Sequence, residues 1–161
     1  MSKRKILNPY AKMEGYNCFG CSPNNENGLQ MNFIEDGEFL TCEWEPRGFL
    51  QGYTNVLHGG IQATLLDEIA SWFVQIKLKT AGVTSNMNIR LRRTVPTNQG
   101  NLMIRAWLKE VRRNLVDVNV ELINPDGRQG TVGVVTYFTY PTDVAREKLR
   151  FPEHEEFFEQ P

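Results

Sequence analysis

The chain predicts an α+β domain in which an antiparallel sheet wraps one long central helix. Three observations carry this. Ile61, Leu65, Leu66, Ile69, Trp72, Phe73 and Ile76 recur at helical spacing and leave little of the helix circumference polar. A strand hairpin precedes that helix, and four strand-like runs follow it. An antiparallel sheet needs one face covered, and here a single helix must do most of the covering.

The elements follow in order. Residues 1–28 read as an irregular arm, rich in Asn, Gly and Pro around Cys18-Phe-Gly-Cys21. Leu29, Met31 and Phe33 alternate with polar residues as a half-buried strand does, Asp36-Gly37 is a turn, and Phe39 to Trp44 returns. Residues 46–58 form a loop, and the helix runs from about Gly59 to Leu78. The strand-like runs are Val83–Val95, Asn101–Val111, Val116–Ile123 and Thr131–Tyr140, read as a meander. Pro96-Thr-Asn-Gln-Gly100 and Asn124-Pro-Asp-Gly127 supply turns between them. Residues 142–161 form a charged extension carrying Phe151, Phe157 and Phe158, either a short docking helix or a loose tail. With 161 residues, one domain with one core is the expectation.

Composition narrows the function classes. Eighteen basic and nineteen acidic residues nearly cancel, which gives no argument for a nucleic-acid or membrane partner. Arg90, Arg92, Arg93, Arg105, Lys109, Arg112 and Arg113 nevertheless fall within 24 positions. The opening Met1-Ser-Lys-Arg-Lys5 lacks the apolar run of a secretory leader, and no stretch approaches the length of a membrane span. Three cysteines, an odd number in a chain this long, suit a reducing cytoplasm. There is no phosphate-binding glycine loop and no dinucleotide fingerprint.

The chemistry concentrates in Gln51-Gly-Tyr-Thr-Asn-Val-Leu-His-Gly-Gly-Ile-Gln-Ala-Thr-Leu-Leu-Asp-Glu68. His58 stands beside a glycine pair that opens the apolar helix, and Asp67 falls within the buried pattern. A carboxylate on the packing side of a helix is expensive unless something uses it. The helix N-terminus exposes unpaired amides, so the amide of Gly59 or Gly60 can polarise a carbonyl or hold an oxyanion. Asp67 lies eight residues after Gly59, roughly 12 Å along the axis. That is too far for both groups to serve one carbonyl in a single chain. Two chains with antiparallel helices would bring one N-terminus to the middle of the other, so the spacing favours a dimer with shared sites.

At these residues the chain resembles the acyl-CoA thioesterases of the hotdog superfamily, of the PaaI and 4-hydroxybenzoyl-CoA thioesterase type. His58-Gly59-Gly60 with an acidic residue nine positions after the histidine carries the resemblance. It implies that Asp67 is the general base or nucleophile, that the Gly59 amide polarises the thioester carbonyl from the neighbouring subunit, and that His58 orients the loop or the carbonyl. It also implies a hydroxyl that positions water, at Ser71 or at Ser85 beside Thr84. Many relatives carry Asn or Gln six residues before the histidine; here that residue is Gly52, with Gln51 and Asn55 as the nearby substitutes. The arm Cys18–Leu29 and the stretch Asn88–Pro96 also resemble the family, with Thr94 where proline is common. The implied partners are an acyl-CoA substrate and a second copy of the chain, in a dimer that can pair into a tetramer, with no cofactor.

Other readings attach to single residues. Gly60, Leu57, Trp72 and Phe73 are expected to line the acyl tunnel, and Arg92, Arg93, Arg112 and Arg113 to meet coenzyme A phosphates at its rim. Arg92 and Arg93 cannot share a side of a regular strand. His58 also reads as a plain helix cap, Glu68 as a solvent-facing or interface residue, and Ser71 and Ser85 as packing hydroxyls. Cys18 and Cys21 have zinc-like spacing, but one pair supplies only two ligands and the spacing does not recruit Cys42 or His58, so no metal is expected. Acyl-CoA hydrolysis is the leading expectation. A non-catalytic acyl-thioester binding protein and an enoyl-thioester hydratase or dehydratase are the alternatives.

Overall fold

A computed structural model describes residues 2–161. The first residue of the expected arm lies outside the described residues. Strands β1 (Arg4–Lys5), β2 (Ile34–Asp36) and β3 (Phe39–Trp44) precede helix α1 (Gly59–Lys77). Strands β4 (Gly82–Leu91), β5 (Leu102–Arg112), β6 (Leu115–Ile123) and β7 (Gln129–Thr139) follow, and then helix α2 (Thr142–Leu149). The seven strands form one antiparallel sheet in the order β1-β2-β3-β5-β6-β7-β4. This is the hotdog arrangement that the element order predicts.

The sheet wraps α1 through alternate residues. Leu102, Ile104 and Ala106 of β5 and Val116, Val118, Val120 and Leu122 of β6 are buried with Leu65, Leu66, Ile69 and Phe73 of α1. Such a cluster is the main source of stability, at roughly 25 cal/mol per Å² of apolar surface removed from water. The opposite side of α1 is covered by the chain ends. Trp72 stacks on Phe33 at 5.0 Å and meets the edges of Phe157 at 5.7 Å and Tyr10 at 6.3 Å. That second cover explains why α1 is apolar around most of its surface. It also settles the extension: α2 and a 3-10 turn at His154–Phe157 follow β7, and Phe157 is fully buried.

Three boundaries and one strand pairing differ from the sequence expectation, and the arm expected to be irregular adds β1 to the sheet through pairing with β2. Leu29, Met31 and Phe33 are buried alternately as expected, but the amides of Leu29 and Met31 donate to Phe19 O and Gly20 O, so the ladder starts only at Ile34. The helix ends one residue early, at Lys77, with Leu78 as its cap. Strand β4 ends at Leu91 rather than Val95, because the amides of Arg92 and Arg93 both turn to Gly130 O. The meander holds for β5, β6 and β7, but β4 pairs with β7 at the far edge instead of with β5. The link between β4 and β5 crosses beneath the start of α1, where Leu57 N donates to Val95 O and Thr97 N to Asn55 O. Apolar alternation fixes which face of a strand is buried, not which neighbour it takes.

Candidate functional site

His58 is the N-cap of α1, and its Nδ1 accepts the Gly60 amide at 2.9 Å. With Nδ1 taken by the Gly60 amide, Nε2 is the ring nitrogen left for another partner on this exposed residue. A Cβ on Gly60 would lie 3.2 Å from His58 Nδ1, so the glycine lets the ring close over the first turn. With Gly60 spoken for, the Gly59 amide is the free one: it meets no protein acceptor among the described residues. Gln62, which the sequence reading passed over, fixes this turn from below. Its side chain is buried, donates to Leu57 O at 3.0 Å and accepts from the Thr131 hydroxyl.

Asp67 is half-buried on the side of α1 that faces β4 and β7. Its Oδ1 accepts two hydrogen bonds of 2.8 Å, one from the Thr84 hydroxyl and one from the Tyr137 hydroxyl. Burial, followed by the adjacent Asp67 carboxylate, pushes the Tyr137 phenol well above its ordinary range, so it stays a donor. Oδ2 has no partner among the described residues. One oxygen is anchored and the other is free to take a proton or to attack. Ser85 occupies a bulge between Thr84 and Asn86 and is exposed there. That bulge lets Thr84 reach the carboxylate.

Three hollows surround the N-terminus of α1. One of about 440 Å³ is lined by Phe49, Leu50, Gln51, His58, Gly60, Ile61 and Thr64. A second of about 350 Å³ lies between Gly52, Tyr53, Leu57, His58 and Gly59. The third, about 360 Å³, brings Leu57, Gly59 and Gln62 together with Arg92 and Arg93. The two arginines thus share one hollow, against the alternation expected of them, because the strand has already ended. Both side chains reach residue 129, Arg92 to Gln129 Oε1 and Arg93 to Gln129 O, each at 2.8 Å.

Other expected residues are placed elsewhere. Arg112 and Arg113 stand at the β5–β6 turn, and the strand register puts that turn near Phe138 and Val83, at the opposite end of the sheet from Arg92. Arg112 is engaged there by Asp117 at 3.0 and 3.1 Å. Phe73 is 2% exposed and belongs to the core. Trp72 faces the arm rather than the N-terminus of α1, and Ser71 lines the same arm-side cavity. Glu68 is not solvent-facing: it points beneath the arm, where burial pushes its carboxyl up to about 7. Gln51 borders the His58 hollow, and its Oε1 accepts the Asn55 amide at 3.0 Å. A Cβ on Gly52 would rest at an ordinary 3.6 Å from the His58 ring, so space exists there for the family amide that this chain lacks.

A helix-opening donor and a half-anchored carboxylate on the same helix suit attack on an electrophilic carbonyl. Residues 54–131 match the thioesterase superfamily. That stretch takes in His58, Gly59, Asp67, Thr84 and both arginines of the Gly59 hollow. Solved structures of thioesterases share the fold. One thioesterase superfamily protein has a TM-score of 0.66 at 20% identity, covering 74% of this chain and 58% of its own. This chain therefore spans less than two thirds of that relative. A Haemophilus influenzae thioesterase gives 0.64 at 19% identity, covering 71% and 80%. A hypothetical thioesterase from Streptococcus pneumoniae, solved with coenzyme A, gives 0.60 at 23% identity, covering 65% and 80%. No curated protein matches the chain. The chain thus shares its hotdog fold with these thioesterases, and just under half of it matches the superfamily.

Proposed function

We propose that the protein hydrolyses an acyl-CoA thioester to a free acid and coenzyme A. The observation that carries this reading is the asymmetric anchoring of Asp67, with Oδ1 held by Thr84 and Tyr137 and Oδ2 free. A thioester is already electrophilic, so a carboxylate and an oxyanion donor suffice without a serine triad. Oδ2 either deprotonates the attacking water or attacks the carbonyl itself. The Gly59 amide supplies the hydrogen bond to the carbonyl oxygen as it becomes an oxyanion.

Gly59 and Asp67 are separated by eight helix positions, roughly 12 Å of rise, so the two groups meet across two chains. The edge of the sheet supports that assembly. Strand β4 is terminal, and Val83 and Leu91 at its two ends are 44% and 50% exposed. A second copy laid against β4 covers an edge that would otherwise be open to unspecific pairing. Arg92 and Arg93 lie beside Gly59 and suit the phosphates of coenzyme A. That ligand is also the one held by the Streptococcus pneumoniae relative. The three cysteines are free thiols, in keeping with a reducing cytoplasm.

The absence of an amide side chain at Gly52 favours a second reading, a protein that binds acyl-CoA without turning it over. Thiol release measured against short, long, branched and aromatic acyl-CoAs separates the two. Turnover of any ester supports hydrolysis. Binding by calorimetry without thiol release supports the second reading.

A further inference from the structure

A second cluster of reactive side chains lies on the arm side of α1. Glu68 follows Asp67 directly, but one residue turns a helix by about 100°. Asp67 therefore faces β4 while Glu68 faces the Cys18–Cys21 turn. The Sγ atoms of Cys18 and Cys21 and a carboxylate oxygen of Glu68 all lie within 4.8 Å of one another. Cys18 Sγ is 3.4 Å from Glu68 Oε1. In a tetrahedral zinc site with bonds of about 2.3 Å to sulfur and about 2.0 Å to oxygen, such a pair stands about 3.5 Å apart.

Three further observations suit a cation. The adjoining cavity of about 230 Å³ is lined by tyrosines, the two cysteines, Glu68 and neutral residues, with no Lys, Arg or His to balance the negative groups. Gly20, between the cysteines, has no room for a side chain: its Cβ would lie 2.5 Å from Glu68 Cδ and 2.6 Å from Oε2. The turn is thus pressed onto this carboxylate. The ligand atoms are also oriented from outside. Trp72 Nε1 donates to Glu68 Oε1 at 3.1 Å, the Tyr16 hydroxyl lies 2.8 Å from Cys21 Sγ, and Asn8 donates to Cys21 O at 3.1 Å. Outer partners of this kind accompany metal-binding side chains.

We infer that Cys18, Cys21 and Glu68 form a binding site for a zinc-class divalent cation that clips the N-terminal arm onto α1. The fourth position opens on the cavity and takes solvent. Binding displaces the protons of the Cys18 and Cys21 thiols, and any held by Glu68, to solvent. The site stands apart from the proposed thioester chemistry, and its test does not read hydrolysis.

The test titrates cobalt(II) into reduced, metal-free protein. The expected result is uptake of one equivalent, with thiolate-to-cobalt charge transfer in the near ultraviolet and tetrahedral ligand-field bands in the red, both abolished by zinc. Cys18→Ser and Cys21→Ser lose the bands, and Glu68→Gln weakens affinity at least about tenfold. Cys42→Ala, altered on β3, retains them. Glu68→Gln keeps the shape of the side chain, so it stays informative should a cysteine variant misfold. No bands in fully reduced protein, or bands that survive Cys18→Ser or stay unchanged in Glu68→Gln, overturn the inference.

Discussion

The Tyr137 hydroxyl donates to Asp67 Oδ1 at 2.8 Å, joining β7, next to the sheet edge, to the middle of α1. Thr84, on the neighbouring strand, donates to the same oxygen. Together they anchor Oδ1 and leave Oδ2 as the free carboxylate oxygen. A hydrogen bond to a charged group contributes about 1.5–3 kcal/mol. Tyr137→Phe is therefore expected to lower kcat by about tenfold or more with KM little changed. Thr84→Val should act in the same direction. Steady-state kinetics check this, and a loss confined to KM would place the pair in binding instead.

The two glycines of the helix opening respond differently. At Gly60 an added Cβ crowds His58 Nδ1 at 3.2 Å and displaces the cap. Gly60→Ala should lower stability by about 0.5–2 kcal/mol, the range for a lost N-cap, read by denaturant unfolding. At Gly59 the Cβ meets only the tip of the Leu91 side chain, also at 3.2 Å. Gly59→Ala should keep most of its stability and lose activity, because the methyl group crowds the approach to the free amide.

Shared sites predict complementation. Asp67→Asn and Gly59→Val are each expected to be inactive as homodimers. Unfolded and refolded together, they form mixed dimers in which one site keeps both groups. Random pairing of a symmetric dimer then restores about a quarter of wild-type activity. No recovery in mixtures shown to contain mixed dimers would place both groups in one chain.

The β5–β6 hairpin should carry a pH signature. The Arg112 guanidinium hydrogen-bonded to Asp117, with the Thr136 hydroxyl, holds this carboxyl below its ordinary value. A depressed folded value stabilises the protein above the unfolded value, and that stabilisation is lost as pH falls through the folded one. Asp117→Asn should thus lower Tm at neutral pH, and the gap to wild type should close in acid. A gap that persists unchanged into strong acid would remove the ion pair as its cause.

What the sequence disclosed follows from local geometry. A 3.6-residue repeat places Leu65, Leu66, Ile69 and Phe73 on the core and makes Asp67 conspicuous among them. The glycine pair after His58 marks the helix start. Tyr137 and Thr84 were illegible because their contact with Asp67 depends on β4 pairing with β7 through a bulge at Ser85. No periodicity specifies that pairing. The burial of Glu68 is illegible for a related reason: what covers it is the path of an arm built of turns, whose residues follow no repeat. Phe157 returning onto Trp72 is the same kind of long-range contact. Arg92 and Arg93 come together because the strand stops at Leu91, four residues before the expected end at Val95.

The most direct measurement is thiol release from an acyl-CoA panel by the wild-type protein and by Asp67→Asn, with assembly checked by light scattering. Turnover of at least one ester by the wild type is expected, with a loss of about 10²–10⁴-fold in the variant, the range for removing a general base. Equal turnover by wild type and an intact Asp67→Asn dimer would contradict the role proposed for Asp67.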